Sequence, residues 1–198
     1  MMEEKRQRLL EILREKSLKI GHFKLDSGMT SPYYFDSKFT THDPEGAYLT
    51  AWLILDEIKR RNVEAMAIGG LTLGADPIVA AVAAVSHAED EFAPLAGFIV
   101  RKEGKKHGTQ RFIEGFDKPE GTAVIIIDDV CTTGGSTLKA VARAEEAGYH
   151  VALVLCLVDR EQGGAEALRN YPFYPLFTAQ ELLDESSIQD QLSRLGES

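Results

Sequence analysis

The run TAVIIID at positions 122–128 constrains the fold more than any other part of the sequence. Its nearly unbroken series of β-branched and apolar residues is typical of a strand that is buried on both faces. Such a strand belongs inside a parallel sheet, and parallel neighbours must be joined by crossover connections, which are usually helices. The rest of the chain should therefore alternate between strands and helices.

That alternation extends along most of the chain. The predicted strands lie at 63–70, 95–100, 122–128, 151–158 and 173–177, and the predicted helices lie at 4–16, 44–61, 77–87, 136–148 and 164–170. Asp43 and Pro44 suit the start of the second helix, and Gly148 suits the end of the fourth. The pattern predicts an α/β fold with a doubly wound, parallel central sheet flanked by helices. Residues 1–40, whose later part mixes turn formers with aromatics, form a small N-terminal hood on an α/β core at 41–198.

Composition excludes several classes of function. The 198 residues carry 22 basic and 31 acidic side chains, a net charge of −9, which argues against a general nucleic-acid binder. No apolar run approaches the ~20 residues that span a bilayer, and the charged N-terminus lacks the features of a secretory signal. Two cysteines, Cys131 and Cys156, fit a reduced protein better than a disulfide. We expect a cytoplasmic protein with no membrane partner.

One segment departs from the acidic balance. Residues 101–111 contain five basic side chains and one acid, a formal charge of +4 before His107 is counted; the basic residues are Arg101, Lys102, Lys105, Lys106 and Arg111. A basic island on an acidic protein indicates a compact polyanionic ligand.

The segment VIIIDDVCTTGGST at 124–137 carries the strongest chemical signal. A buried strand ends in Asp128 and Asp129, and a loop of hydroxyl residues and glycines then leads into a helix. Glycines let backbone N–H groups approach an anion, and the helix N-terminus favours negative charge, so the loop predicts a monophosphate site. The two carboxylates suit ribose hydroxyls or a magnesium ion shared with a phosphorylated ligand. The alternative is a strand with two solvated acids and a flexible turn.

Other phosphate-binding motifs do not fit. A Walker loop is excluded because no Gly-Lys-Ser/Thr follows. The glycines at 69, 70 and 74 do not have the spacing of a dinucleotide fingerprint.

Segment 124–137 resembles the phosphoribosyl diphosphate signature of the type I phosphoribosyltransferases. The resemblance implies the fold of that family and places the ribose hydroxyls on Asp128 and Asp129, which also count as catalytic. It places the sugar phosphate on the residues that follow, namely Val130, Cys131, Thr132, Thr133, Gly134, Gly135, Ser136 and Thr137.

Four further segments resemble the orotate phosphoribosyltransferases within that family. They are FKLDSGMTSPYYFDSK at 23–38, GGLTLGADP at 69–77, RKEGKKHG at 101–108 and VDREQGG at 158–164. The first implies an orotate site with Tyr34 and Phe35 as its aromatic wall. The last implies that Arg160 meets the orotate carboxylate, for which a guanidinium is the matching donor. Thr132 completes the predicted base site.

The two middle segments imply a diphosphate site. Leu73 and Gly74 belong to the loop after the first core strand, where the family has a non-proline cis peptide between residues 71 and 74. The basic island is similar to a mobile catalytic loop that contributes Arg101, Lys102, Lys105 and His107, with Lys105 and His107 as catalytic residues. The family further implies Mg²⁺ carried mainly by the diphosphate near Asp128 and Asp129, and a homodimer that shares the loop between subunits.

Alternatives stay open at several positions. The alternatives are core aromatics for Tyr34 and Phe35, a solvated charge for Arg160, and an incidental loop residue for His107. Where some family members have lysines, this chain has Asp26 and Gly74, and Lys24 is a candidate replacement. Two other functions are also open: a type I phosphoribosyltransferase acting on a purine or uracil, and a non-catalytic regulator with the same fold.

Overall fold

The structure, a computed structural model, describes residues 2–24, 30–103 and 112–183. Within these ranges the strands are β1 (Leu18–Lys24), β2 (Thr30–Phe35), β3 (Ala67–Leu71), β4 (Ala96–Val100), β5 (Ile113–Glu114), β6 (Ala123–Cys131), β7 (His150–Asp159) and β8 (Phe173–Thr178). The helices are α1 (Met2–Ile12), α2 (Lys38–Thr41), α3 (Pro44–Arg60), α4 (Asp76–Ala88), α5 (Gly135–Glu146), α6 (Gly164–Ala167) and α7 (Ala179–Leu182), and Leu13–Ser17 continues α1 as a π-helical turn. No helix in the described ranges is long and apolar enough to cross a bilayer.

The main sheet has six strands in the order β5-β4-β3-β6-β7-β8. Five of them are parallel, which confirms the predicted α/β sheet, and β5 pairs antiparallel with β4 at one edge. Strand β5 was not predicted, because two residues carry no hydrophobic periodicity. The predicted end of β6 at residue 128 is three residues too early, since Asp128 and Asp129 interrupt the apolar run although the backbone ladder continues to Cys131.

Most predicted helices are confirmed, with shifts at their ends. The Asp43 side chain accepts a hydrogen bond from the Gly46 amide at 2.9 Å, as expected of an N-cap before Pro44. Gly148, with φ +86°, follows α5. The predicted helix at 164–170 is a single four-residue turn, and the strand predicted from residue 63 begins at Ala67.

The core lies on both faces of the sheet, as the β-branched run predicts. Along β6, Ile125 and Ile127 pack into the cluster that contains α1, α3 and α4, while Val124 and Ile126 pack into the cluster under α5. All four side chains have 0% exposure. This burial fixes the strand at the centre of the sheet and holds its carboxyl end, where Asp128 and Asp129 lie, in one place.

The N-terminal region has two parts. Strands β1 and β2 form a separate antiparallel hairpin, with Ile20 opposite Tyr33. Helix α1 instead buries Leu9, Ile12 and the adjacent Leu13 in the main core. The domain division at residue 40 therefore stays a prediction, because the first helix shares its apolar contacts with the core.

Candidate active site

The loop at 132–137, here called the phosphate loop, joins the end of β6 to the start of α5. Gly134 takes the N-cap position with φ +80°, a left-handed conformation that favours glycine, and no side chain caps the helix. The N–H groups of the first helical turn have no partner within the helix, so they are available to an anion. The strand, loop and helix that the sequence predicts as a phosphate site are thus present.

The two adjacent acids have different environments. Asp128 is 5% exposed and accepts hydrogen bonds from the hydroxyls of Ser136 and Thr137, each at 2.7 Å. Burial raises the pKa of Asp128 to about 6, the hydroxyl donors oppose this shift, and the negative charge of Asp129 adds to it. Asp128 therefore braces the phosphate loop from inside. Asp129 is more open, so it is the acid better placed for ribose hydroxyls.

Three separate chain segments meet at the Asp129 carboxylate. The Ser37 hydroxyl, from the link after β2, donates a hydrogen bond to Oδ2 at 2.5 Å. On the other side, a Cβ built on Gly74 would lie 2.1 Å from Oδ1, so the loop after β3 approaches the same carboxylate closely. The predicted ribose acid thereby connects the link after β2, the loop after β3 and the central strand.

The remaining residues predicted for the phosphate site differ in the exposure of their side chains. Thr133, Gly135 and Ser136 are exposed, and Thr132 and Val130 are partly buried. Cys131 has 0% and Thr137 has 1% exposure, and the Thr137 hydroxyl is already bonded to Asp128. Their side chains consequently support the loop from within, beside the equally buried thiol of Cys156. Burial raises the pKa of Cys156 well above its ordinary value.

The loop after β3 has the predicted backbone feature. The peptide bond between Thr72 and Leu73 is cis, which confirms the expectation of a non-proline cis bond between residues 71 and 74. Leu73 is 71% exposed, and the Thr72 hydroxyl donates to Asp76 at 2.6 Å.

The first residue of the basic island pairs with the residue that follows the island. The Arg101 amide donates to the Phe112 carbonyl at 2.9 Å, and the Arg101 guanidinium bonds the Glu114 carboxylate, also at 2.9 Å. Lys102 is exposed. Lys105 and His107 lie outside the described residues, so their catalytic roles stay predictions. In the structure Arg101 braces the root of this segment at the sheet edge.

Arg160 follows β7 at the same edge of the sheet as the phosphate loop, and its amide donates to the Cys131 carbonyl at 2.8 Å. Its guanidinium lies 5.1 Å from the Tyr33 ring centroid and donates to the Tyr33 hydroxyl at 3.3 Å. The hairpin therefore reaches the predicted carboxylate-binding arginine through Tyr33.

Tyr34 and Phe35 do not share one face, because successive side chains of a strand point in opposite directions. Tyr34 is 40% exposed and its ring lies 5.6 Å from that of Phe23, whereas Phe35 packs against the main core. A single wall formed by both rings is thus not what the structure shows. The side chain of Lys24 lies outside the described residues, so its predicted role is not resolved.

Two site residues were missed by the sequence analysis. Tyr33 could have been found from the two-residue period of the strand, because that period puts Tyr33 and Tyr34 on opposite faces. Ser37 carried no such signal, because its partner Asp129 is 92 residues away. Lys38, the next residue, has its pKa raised first by its hydrogen bond to Asp36 and further by nearby Asp129.

Metal binding by protein groups alone is limited. Across 2–24, 30–103 and 112–183, no three His, Cys, Asp or Glu side chains converge on one point. Asp128 already accepts hydrogen bonds from the Asp129 amide and from two hydroxyls, and Asp129 offers one oxygen beyond its bond to Ser37. A cation here would need most of its oxygen ligands from a phosphorylated ligand.

Two known proteins similar to this chain share one activity in their names. No family model matches the chain. An orotate phosphoribosyltransferase of Thermosynechococcus vestitus is 46% identical over 179 residues, covering 89% of this chain and 92% of that protein. Another, of Aquifex aeolicus, is 45% identical over 183 residues, 90% of this chain and 97% of that protein.

Solved structures give the same result. The crystal structure of Mycobacterium tuberculosis orotate phosphoribosyltransferase in complex with Fe(III) dicitrate superimposes with a TM-score of 0.79 at 34% identity, covering 91% of this chain and 99% of that one. A crystal structure of the same mycobacterial enzyme in complex with 5-phospho-α-D-ribosyl 1-diphosphate gives a TM-score of 0.74 at 30% identity, over 90% and 98% of the two chains. The chain therefore belongs to the orotate phosphoribosyltransferase family.

Proposed function

We propose that the chain transfers ribose 5-phosphate from phosphoribosyl diphosphate to orotate, giving orotidine 5′-monophosphate and diphosphate in pyrimidine biosynthesis. The observation that carries the proposal is the position of Arg160, whose guanidinium lies beside the hairpin at the sheet edge that also holds the phosphate loop. A guanidinium there favours a base with a carboxylate, which orotate has and the common purines and uracil lack.

The reaction needs no protein nucleophile. A ring nitrogen of orotate forms a bond to the anomeric carbon while the bond from that carbon to the diphosphate oxygen breaks, through a transition state with oxocarbenium character. We assign the ribose hydroxyls to Asp129, with Asp128 bracing the loop, and the 5′-phosphate to the backbone amides and exposed hydroxyls of the phosphate loop. Base stacking is assigned to Tyr33, the aromatic side chain of β2 that lies beside Arg160.

We assign the stabilisation of negative charge on the departing diphosphate to the basic island. Lys105 and His107 are its proposed catalytic residues. The backbone of Leu73 and Gly74 is proposed to bind the same diphosphate. Arg101 and Lys102 lie where the island joins the sheet. Closure of such a loop would bring cations onto the leaving group and keep water out. Mg²⁺, held mainly by the diphosphate, would neutralise phosphate charge near Asp129.

A panel of bases tests the substrate. Diphosphate release from phosphoribosyl diphosphate and Mg²⁺ should be rapid with orotate and absent with uracil, hypoxanthine or adenine. Rapid release with uracil or a purine and none with orotate would favour the related base specificities. Absence of release with every base would favour a non-catalytic regulator.

We also propose a homodimer whose subunits exchange the basic island, in the cytosol. The two buried, unbridged thiols of Cys131 and Cys156 support a reducing compartment. A mixture of Lys105→Ala and Asp129→Asn chains tests the exchange, because each mixed dimer would contain one site with neither defect. Equal mixing should restore about a quarter of the wild-type activity. If the mixture is no more active than its components, the loop acts within its own subunit.

A further inference from the structure

Ser37 is a buried polar residue to which the proposed reaction gives no role. Its side chain is 1% exposed and lies in the link between β2 and α2. Serine at a helix N-cap ordinarily accepts a hydrogen bond from the first turn. Ser37 occupies the N-cap of α2, but its side chain makes no such bond. The hydroxyl donates instead to Asp129 Oδ2.

The Asp129 carboxylate is confined on two sides. Ser37 holds Oδ2, and the Cα of Gly74 lies close to Oδ1, where even one added methyl group would collide. Lys38, beside Ser37, adds positive charge near the same carboxylate. A hydroxyl that donates to one oxygen fixes the rotation of the carboxylate and leaves lone pairs on the other for a ligand.

We propose that Ser37 is a positioning residue, which orients the Asp129 carboxylate for the ribose hydroxyls of phosphoribosyl diphosphate. This inference rests on the proposed function. It makes the segment that follows the base-binding hairpin part of the sugar site, so that one short stretch of chain supports both substrates. Ser37 acts through Asp129 and need not touch the substrate.

The test compares kinetic constants of Ser37→Ala with those of the wild type. Loss of a hydrogen bond to a charged group should raise the KM for phosphoribosyl diphosphate about tenfold or more. The KM for orotate and kcat should change less than about threefold. Ser37→Thr keeps the hydroxyl and should restore most of the affinity. Ser37→Cys, with similar volume and a weak donor, should resemble the alanine variant and serves if that variant fails to fold.

Two controls separate positioning from general stability. Ser86→Ala removes another buried hydroxyl, which bonds Ala83 and Leu95 near the opposite end of the sheet. It should lower the thermal midpoint without changing the KM for phosphoribosyl diphosphate. In an Asp129→Asn background, Ser37→Ala should have little further effect, because its target is already altered.

The outcomes distinguish the two proposals. If the wild-type chain releases no diphosphate with orotate, the proposed function is wrong whatever Ser37 does. If the wild type is active and Ser37→Ala and Ser37→Cys both keep its KM for phosphoribosyl diphosphate, the positioning role is wrong. An equal KM increase in the wild-type and Asp129→Asn backgrounds would also overturn it.

Discussion

The phosphate loop and the N-terminal hairpin are stabilised in different ways. The phosphate loop is held by contacts within ten residues, from Asp128 to the hydroxyls of Ser136 and Thr137. The hairpin and the link that follows it are tied to the carboxyl ends of the central strands by contacts across about a hundred residues, from Tyr33 to Arg160 and from Ser37 to Asp129. A loop with local contacts is encoded by its own sequence, whereas the position of the hairpin depends on how distant segments pack.

Asp128, the buried acid that holds the phosphate loop, should cost stability at neutral pH because its charged form is desolvated. Burial raises the pKa of Asp128 from 3.8 to about 6, so the folded state binds this proton more tightly than the unfolded state. The stabilisation is complete below about pH 4 and is lost as pH rises through about 6. Relative to Asp128→Asn, the free energy of unfolding of the wild type should fall by roughly 2–3 kcal/mol between pH 4 and pH 7.

Urea unfolding of both proteins at several pH values measures that difference. Asp90→Asn, on an exposed turn, is the control and should keep the wild-type pH dependence. If Asp128→Asn shows the same pH slope as the wild type, the Asp128 proton is not linked to folding.

Arg160→Lys tests the proposed orotate site, where Arg160 contacts Tyr33 of the hairpin. Lysine keeps the charge but loses the planar fork that matches a carboxylate, so the KM for orotate should rise by about 10- to 100-fold, or ~1.5–3 kcal/mol. The KM for phosphoribosyl diphosphate should stay within about threefold. Arg169→Lys, at an exposed arginine paired with Glu166, should change neither constant. An increase in the KM for phosphoribosyl diphosphate alone would indicate that Arg160 belongs to the sugar site and not to the orotate site.

Gly74→Ala tests the point where the two regions meet. The added methyl group would displace the Asp129 carboxylate, so the KM for phosphoribosyl diphosphate should rise about tenfold, or ~1.4 kcal/mol. Gly121→Ala is the control: φ is +81°, but no atom lies within 4 Å of the added group. It should lower stability by about 1 kcal/mol and leave both KM values unchanged. Unchanged kinetics in Gly74→Ala would mean that Asp129 is not needed in its present position.

Tyr33→Phe should have the smallest effect. It removes the hydroxyl that accepts from Arg160 and keeps the ring beneath the guanidinium. We expect the KM for orotate to rise about two- to fivefold, or ~0.5–1 kcal/mol. Tyr174→Phe is a matched control, because Arg61 lies 3.1 Å from that ring centroid on β8. If both variants change the KM for orotate equally, Tyr33 is not part of the base site.

Much of the fold was predictable because its signals are local. The β-branched run of β6, the Asp43 cap and the Gly148 stop each lie within a few residues of the structure that they specify. The strand β5 was not predictable, since two residues are too few for a hydrophobic period. The candidate site follows the same rule: the phosphate loop was predicted as a contiguous motif, and Ser37 was not.

The sequence by itself determined a buried central strand, the acids and phosphate loop at its end, and a basic island elsewhere in the chain. It did so because side-chain burial and backbone conformation depend on neighbours a few residues away. The tertiary structure alone decided that Asp128 and Asp129 differ, and that Tyr33 and Ser37 meet Arg160 and Asp129. Those contacts arise when distant segments pack together, and a linear pattern carries no record of which surfaces will meet.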